Sequence, residues 1–399
     1  MKSFNYFQPT EIRFGRGRLS EVGQVVARYG RRCLIVSVKV DRTFAPLFEV
    51  VKQSLQEAGV KFGHFEGVIP NPTTDSVTTG ASAAKELRAD VVLGVGGGSS
   101  MDTAKAIAVE ATHSGTSWDY LYDRETQPTE RTLPIIAVST TSGTGSQVTG
   151  VAVVTNTPLK SKSAISNSII YPRACIVDPE LMRTVPPHIT ASTGFDVFCH
   201  AFESYLSVNA SPYTDTLALS AIRLVARWLP LVVADGSNME AREAMAWADT
   251  LAGLCIANAG VTLPHGIGMT IGGQCPQVMH GEALAVTYPE FTRFTYPYAI
   301  KQFATLGRIL NSTLERESDE VAAKQSCEEV DMLLKRIGMW LSLKGLGATK
   351  ADIVSVADNS RVLPDYKNNP RIAKRDEIYE MLVRSYDRVV SQRLGERDD

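Results

Sequence analysis

Short apolar runs of strand length recur through the first 180 or so residues of this chain and then nearly stop, and that change constrains the fold most. The runs lie at 32–38, 60–65, 89–95, 134–138 and 174–178, with residues 4–14 readable as a further extended segment. Helical periodicity fills 19–29, 46–58 and 76–88 between them. Continuous apolar strands that alternate with helices predict a parallel sheet covered on both faces. Beyond Pro186-Pro187 the signals become helical, at 191–208, 212–228, 239–258, 298–311 and 320–337. The expectation is an α/β domain with a Rossmann-like parallel sheet over 1–186, followed by an all-α domain over 187–399.

A chain of 399 residues is long enough for two cores, in keeping with that division. Lys+Arg 41 against Asp+Glu 43, with no long run of either sign, predicts neither a nucleic-acid surface nor a polybasic membrane patch. The 6 cysteines form no CxxC pair, which fits reduced thiols in a cytoplasm. No apolar core of signal-peptide length follows Lys2, and no uninterrupted apolar run approaches the roughly 18 residues of a membrane span. The tail Gly395-Glu-Arg-Asp-Asp399 is expected to fray.

The run at 89–95 leads into Gly94-Val-Gly96-Gly97-Gly98-Ser99-Ser100-Met101-Asp102 and then a helix. Glycines let backbone amides approach an anion, and a helix N-terminus adds partial positive charge, so the loop suits a pyrophosphate. A tight strand-to-helix turn would also use glycine, but three in succession with Ser99 exceed what a turn requires. Ser99 replaces the last glycine of the usual G-x-G-x-x-G fingerprint. A second loop, Ser139-Thr140-Thr141-Ser142-Gly143-Thr144-Gly145-Ser146, follows the next strand, at the carboxyl end where parallel sheets bind ligands. An ordinary hydroxyl-rich turn has the same composition, but two such loops on successive strands point to a dinucleotide.

Three of the 6 histidines cluster in the second half with one acid. Asp196 and His200 stand at i and i+4, on one helical face. His265 and His280 each precede a glycine. One carboxylate and three imidazoles form a ligand set for Fe²⁺, Zn²⁺, Mn²⁺ or Ni²⁺ with a position left open. A helical ion pair and two capped turns would use the same residues separately. His64, His113 and His188 have no comparable setting.

Taken in order, these motifs resemble the iron-containing (group III) alcohol dehydrogenase family over nearly the whole chain. The resemblance begins at Phe4-Asn-Tyr-Phe-Gln-Pro-Thr10 and runs through Asn71-Pro-Thr73, the glycine loop, the Thr140-Thr-Ser-Gly-Thr-Gly145 loop and Asp178-Pro-Glu-Leu181. It continues through Gly194-Phe-Asp-Val-Phe-Cys-His200, Leu263-Pro-His-Gly266 and His280-Gly281 to Asn369-Pro-Arg371. It implies Asp196, His200, His265 and His280 as ligands of Fe²⁺, with Zn²⁺ the alternative. It implies Asn71, Gly97, Gly98, Ser99, Thr140, Thr141, Thr149, Val151, Lys162 and Leu181 around NAD or NADP, with Asp102 beside the cofactor. It also implies a homodimer or larger assembly.

The activity that the resemblance implies is reversible hydride transfer between the nicotinamide and a small alcohol or aldehyde. Other reactions of the same scaffold remain alternatives: maleylacetate reduction, glycerol oxidation and the non-redox cyclisation of dehydroquinate synthase. So does a non-catalytic dinucleotide sensor. Three departures bear on this. Ser37-Val38-Lys39 stands where NAD-preferring members often carry an acid, which admits NADP(H) beside NAD(H). Met269 stands four residues after His265, where many members carry another histidine, which leaves water and ribose hydroxyls to move the proton. The interval from His265 to His280 is one residue longer than in comparable members.

Overall fold

The computed structural model describes residues 3–390, so the tail 395–399 and Lys2 lie outside the described residues. The chain forms two compact units, Met1–Thr262 and Leu263–Asp399.

In the first unit, the strands and helices of the sheet region alternate along the chain. They are β1 (Glu11–Phe14), α1 (Val22–Ala27), β2 (Arg32–Val38), α2 (Ala45–Glu57), β3 (Lys61–Val68), α3 (Thr74–Leu87), β4 (Val91–Gly96), α4 (Gly98–Glu110) and β5 (Ile135–Ser139). A hairpin follows, β6 (Val151–Asn156) and β7 (Ser161–Ser166), and then β8 (Ala174–Val177). Six strands pair in the order β1-β8-β5-β4-β2-β3, all parallel. β6 and β7 pair antiparallel as a separate ribbon. The extended segment expected over 4–14 narrows to β1. The helix expected over 19–29 becomes a 3-10 turn, Arg18–Glu21, followed by α1.

Alternate residues of the buried strands serve opposite faces, as the period of two requires. Cys33 and Ile35 of β2, Leu93 of β4 and Ile136 of β5 pack with Val22 and Val26 of α1 and Val51 of α2. Leu34 and Val36, Val92 and Ile135 pack on the other face with Val77 of α3 and Ala104 and Ile107 of α4. β3 lies outside β2 and β5 outside β4, so strand order reverses between β2 and β4. Their carboxyl ends open the crevice in which such sheets bind ligands.

Three helices complete the unit: α5 (Pro187–Leu206), α6 (Pro212–Ala234) and α7 (Met239–Ala259). Ala246 and Leu254 of α7 pack on Ala137 of β5 and on Cys175 and Val177 of β8. The change from strands to helices at Pro187 therefore precedes the division between compact units at Thr262, because α7 packs on the sheet and α5 and α6 pack on α7. α6 is long and apolar enough to meet the composition of a membrane span. Its Ala218, Ala221, Ile222, Val225 and Leu229 nonetheless form a buried helical stripe, as a core helix does.

The second unit is all-helical: α8 (Leu263–Gln274), α9 (His280–Thr295), α10 (Ile300–Leu310), α11 (Asp319–Arg336), α12 (Lys350–Asn359) and α13 (Arg375–Tyr386). α10 packs on α11, and α8 on α9 and α12. All 6 cysteines are buried and unbridged.

Candidate cofactor and metal site

β4 ends at Gly96, whose φ of 147° is a glycine conformation, and α4 begins two residues later. No side chain caps the N-terminus of α4. A phosphate can therefore take the first-turn amides, which an Asn, Ser or Asp cap would otherwise occupy. The glycines have a second cause. A Cβ on Gly97 would lie 2.9 Å from Thr141 Oγ1, and one on Gly98 would lie 2.5 Å from Thr144 Cγ2. The two loops touch, and side chains on the first would force them apart. Ser99 continues into the helix, its carbonyl accepting from Thr103 Oγ1 at 2.7 Å.

The second loop is held from several sides. Thr140 N–H donates to the Gly96 carbonyl at 3.0 Å. Ser139 Oγ donates to the carbonyl of Thr141 at 2.9 Å. Asp249 of α7 accepts from Gly143 N–H and Gly145 N–H, both at 2.9 Å, and from Gln147 Nε2 at 2.7 Å. Burial pushes the Asp249 carboxyl up to about 7 against these three donors.

Lys105 of α4 is fully buried, and its ammonium donates to Ser146 O, Ser146 Oγ and Val151 O at 2.7 Å each, and to Thr149 Oγ1 at 3.4 Å. Asp102, one turn earlier, accepts from Ser146 Oγ at 2.7 Å and from Val153 N–H at 3.1 Å. Its carboxylate thus braces loop and hairpin from inside the fold, and burial raises its pKa. Lys162 of β7 donates to Asn71 Oδ1 at 2.9 Å. Burial pushes this lysine down to about 8 despite the charges of Asp102 and Asp196. Asn71 has a φ of 54°, the left-handed region that asparagine tolerates. Thr155 N–H donates to the Pro72 carbonyl at 2.7 Å, so the hairpin is pinned beside Asn71. Leu181 lies on the turn Pro179–Met182 after β8, half-buried against the α1–α2 face.

On α5, Asp196 and His200 are both buried, and His200 Nε2 lies 3.5 Å from Asp196 Oδ1. His200 Nδ1 lies 3.1 Å from the carbonyl oxygen of Gly143. A carbonyl only accepts, so Nδ1 carries the hydrogen and donates it. A neutral ring would then present its Nε2 lone pair to a carboxylate. The geometry therefore calls for positive charge at that spot, either a proton on Nε2 or a cation. This is also how metal-binding histidines are oriented, by a hydrogen bond from the nitrogen that does not bind.

In the second unit, His265 is a buried residue of α8 and His280 is the first residue of α9. Their ring centroids lie 5.3 Å apart with planes at 63°. Gly268 packs close to α9, where a Cβ would lie 3.2 Å from Leu284 Cδ2. Met279 N–H donates to Glu282 Oε2 at 3.0 Å, which sets the start of α9. Met269, one turn beyond His265, is buried. Carboxylate and imidazole in the first unit, and two imidazoles in the second, are each donor types that divalent transition metals accept. The remaining histidines are engaged elsewhere or exposed: His64 with Ser37, His113 with Thr129, and His188 at the surface.

Sequence reasoning gave Lys105 no role and passed over Asp249, although each had a readable signal. Lys105 stands three residues after an acid in a helix otherwise apolar at that point. Asp249 is a lone carboxylate on the small-residue face Ala246, Ala252, Gly253 of α7.

The model of iron-containing alcohol dehydrogenase matches residues 9–179, and that of the C-terminal part of the Fe-containing alcohol dehydrogenase family matches residues 190–386. The NAD-dependent methanol dehydrogenase of Bacillus methanolicus is 32% identical over 95% of this chain and 98% of its own. The 1,3-propanediol dehydrogenase of Klebsiella pneumoniae is 35% identical over 94% and 97%. Among solved structures, an archaeal halo-thermophilic alcohol dehydrogenase from a Red Sea brine pool superposes with a TM-score of 0.90 at 33% identity, covering 96% of this chain and 100% of that one.

Proposed function

Because the chain belongs to the iron-containing alcohol dehydrogenase family, we propose that it interconverts a small primary alcohol and its aldehyde, using NADP(H) or NAD(H) and one divalent cation. The four ligands in this reading are Asp196, His200, His265 and His280, and the ion is Fe²⁺, with Zn²⁺ the alternative. One observation carries the reading. His200, whose Nε2 lies 3.5 Å from Asp196 Oδ1, is oriented by the carbonyl of Gly143, a residue of the second loop. The fold thus ties an acid–histidine pair to the loop expected to carry the dinucleotide.

When bound, the cation supplies Lewis acidity that polarises a carbonyl and favours its alkoxide. The protein's own residues do the rest. The uncapped start of α4, with Gly97, Gly98 and Ser99, receives the pyrophosphate. Thr140 and Thr141 of the second loop, with Thr149 and Val151 beyond it, surround the dinucleotide, and the Asn71–Lys162 pair offers an amide and an ammonium to ribose or phosphate oxygens. Leu181 supplies an apolar surface, and Asp102 holds Ser146 and Val153 in place behind them. Val38 and Lys39, at the end of β2, place no carboxylate where a 2′-phosphate would come, which admits NADP(H) beside NAD(H). Met269 makes the neighbourhood of His265 apolar, leaving water and ribose hydroxyls to carry the proton. In this reading residues 1–186 serve the dinucleotide and 187–399 the metal. The exposed Phe4, Tyr6 and Phe7 beside the edge strand β1 suit a homodimer contact.

The test is turnover of purified protein with NADPH or NADH and a panel of short aldehydes, after chelation and after anaerobic return of Fe²⁺ or Zn²⁺. Activity lost on chelation and regained with metal supports the reading. Dinucleotide binding without metal-dependent turnover of any substrate would replace it with a sensor or a non-redox relative.

A further inference from the structure

Asp249 lies outside every motif that pointed to function, yet the second loop is built around it. It is fully buried on α7, and all three of its hydrogen bonds go to residues 143, 145 and 147, more than 100 positions earlier in the chain. The helix backbone itself touches this loop. A Cβ on Gly145 would lie 2.5 Å from Gly253 Cα, and Gly253 stands one turn beyond Asp249 on the same face of α7. The contact admits no side chain at either glycine, so Asp249 reaches the loop at a fixed, short distance.

Gly143 is then held on both sides. Its N–H is donated to Asp249 Oδ1, and its carbonyl accepts from His200 Nδ1. Glycine has the softest backbone of any residue, and a lone bond from a histidine would not define where its carbonyl points. The carboxylate supplies the missing constraint. The same carboxylate oxygen also holds Gly145, so the loop and the His200 ring are fixed together.

We infer that Asp249 is a positioning residue that fixes His200 through the backbone of Gly143 and thereby couples the dinucleotide loop to the metal ligand. The inference rests on the reading of His200 as a ligand and of residues 139–146 as a dinucleotide loop. Partners that orient metal-binding histidines typically change metal affinity by about 10–100-fold when removed. A carboxylate is not strictly required. Asparagine at 249 keeps one oxygen for the two amides, and Gln147, whose Oε1 has no partner among the described residues, can turn to accept from the new amide.

The experiment compares the full-length protein with Asp249→Leu, Asp249→Asn and His200→Ala, each loaded with Co²⁺. Co²⁺ affinity is measured by chelator competition, and the visible Co²⁺ spectrum is recorded with and without NAD⁺ or NADP⁺. Asp249→Leu is expected to bind Co²⁺ about 10–100-fold more weakly and to lose the spectral response to dinucleotide. Asp249→Asn is expected to restore both, which a merely structural role would not predict. Should Asp249→Leu fail to fold, Asp249→Ser serves the same purpose, because its hydroxyl is too short to reach both amides. Unchanged Co²⁺ affinity and spectral response in the folded Leu or Ser variant overturns the inference alone. Co²⁺ binding unaffected by His200→Ala overturns the metal reading and the inference with it.

Discussion

Lys105 Nζ lies 2.7 Å from the carbonyl oxygen of Val151, so a residue inside α4 grips the first residue of the β6–β7 ribbon. Burial pushes this lysine from 10.5 down to about 8, opposed by the charge of Asp102. A lysine with an ordinary pKa when unfolded and a depressed one when folded gives up a proton on folding between those two values. Its contribution to stability therefore rises with pH from about 8 to about 10.5 and is lost as pH falls through 8. Urea unfolding across that window should show the native protein gaining on Lys105→Met by up to ~3 kcal/mol. A difference that stays constant with pH would mean that the surrounding oxygens keep the ammonium charged.

Gly98→Ala tests the contact between the loops. The new methyl would begin 2.5 Å from Thr144 Cγ2, so one loop must move. The expected cost is about 1–3 kcal/mol of stability, with a raised KM for the dinucleotide and a smaller change in KM for the aldehyde. Equal effects on both constants would argue that the loop does not serve the dinucleotide.

The ligand set is tested one pair at a time. Asp196→Asn removes the carboxylate from α5, and His280→Ala removes an imidazole from α9. Each is expected to lower bound metal well below one ion per chain and kcat/KM by more than about 100-fold, while NADH fluorescence enhancement persists. Metal content by mass spectrometry decides it. Full occupancy in either variant removes that residue from the set.

Nucleotide choice can be moved from the end of β2. Val38→Asp is expected to lower the NADPH to NADH ratio of kcat/KM by roughly tenfold or more, because a carboxylate repels a 2′-phosphate and accepts from ribose hydroxyls. An unchanged ratio would place the discrimination elsewhere.

How much of this was legible in the sequence depended on how local the cause was. β2 carries its own apolar run and is found where expected, at Arg32–Val38. Asp196 and His200 meet because they are one helical turn apart, a spacing any reader can count. The ribbon gave no such signal. β7 reads Ser161-Lys-Ser-Ala-Ile-Ser166, half of it serine, and is a strand because β6 pairs with it and Lys162 ties it to Asn71. α8 was hidden by Gly266, Gly268, Gly272 and Gly273, poor helix formers whose cost is offset by burial of the segment. For Asp249 the sequence shows only a lone carboxylate among small residues, not what it holds. Its partners lie 102 to 106 positions earlier in the chain, and no window along the sequence contains both.

The pairing of Glu11 with Ala174 has a consequence in time. β1 is the first strand of the sheet to be made, and its partner β8 is the last. At ribosomal speeds of about 5–20 residues per second, β1 must wait roughly 10–30 s before β8 exists to receive it. β2, β3 and β4 can meanwhile associate as each emerges, so the sheet grows outward from its middle. For that interval the nascent chain carries an unpaired strand with Phe4, Tyr6 and Phe7 just ahead of it, open to whatever apolar surface comes near first. A chaperone that shields this end would matter most before residue 177 has left the ribosome.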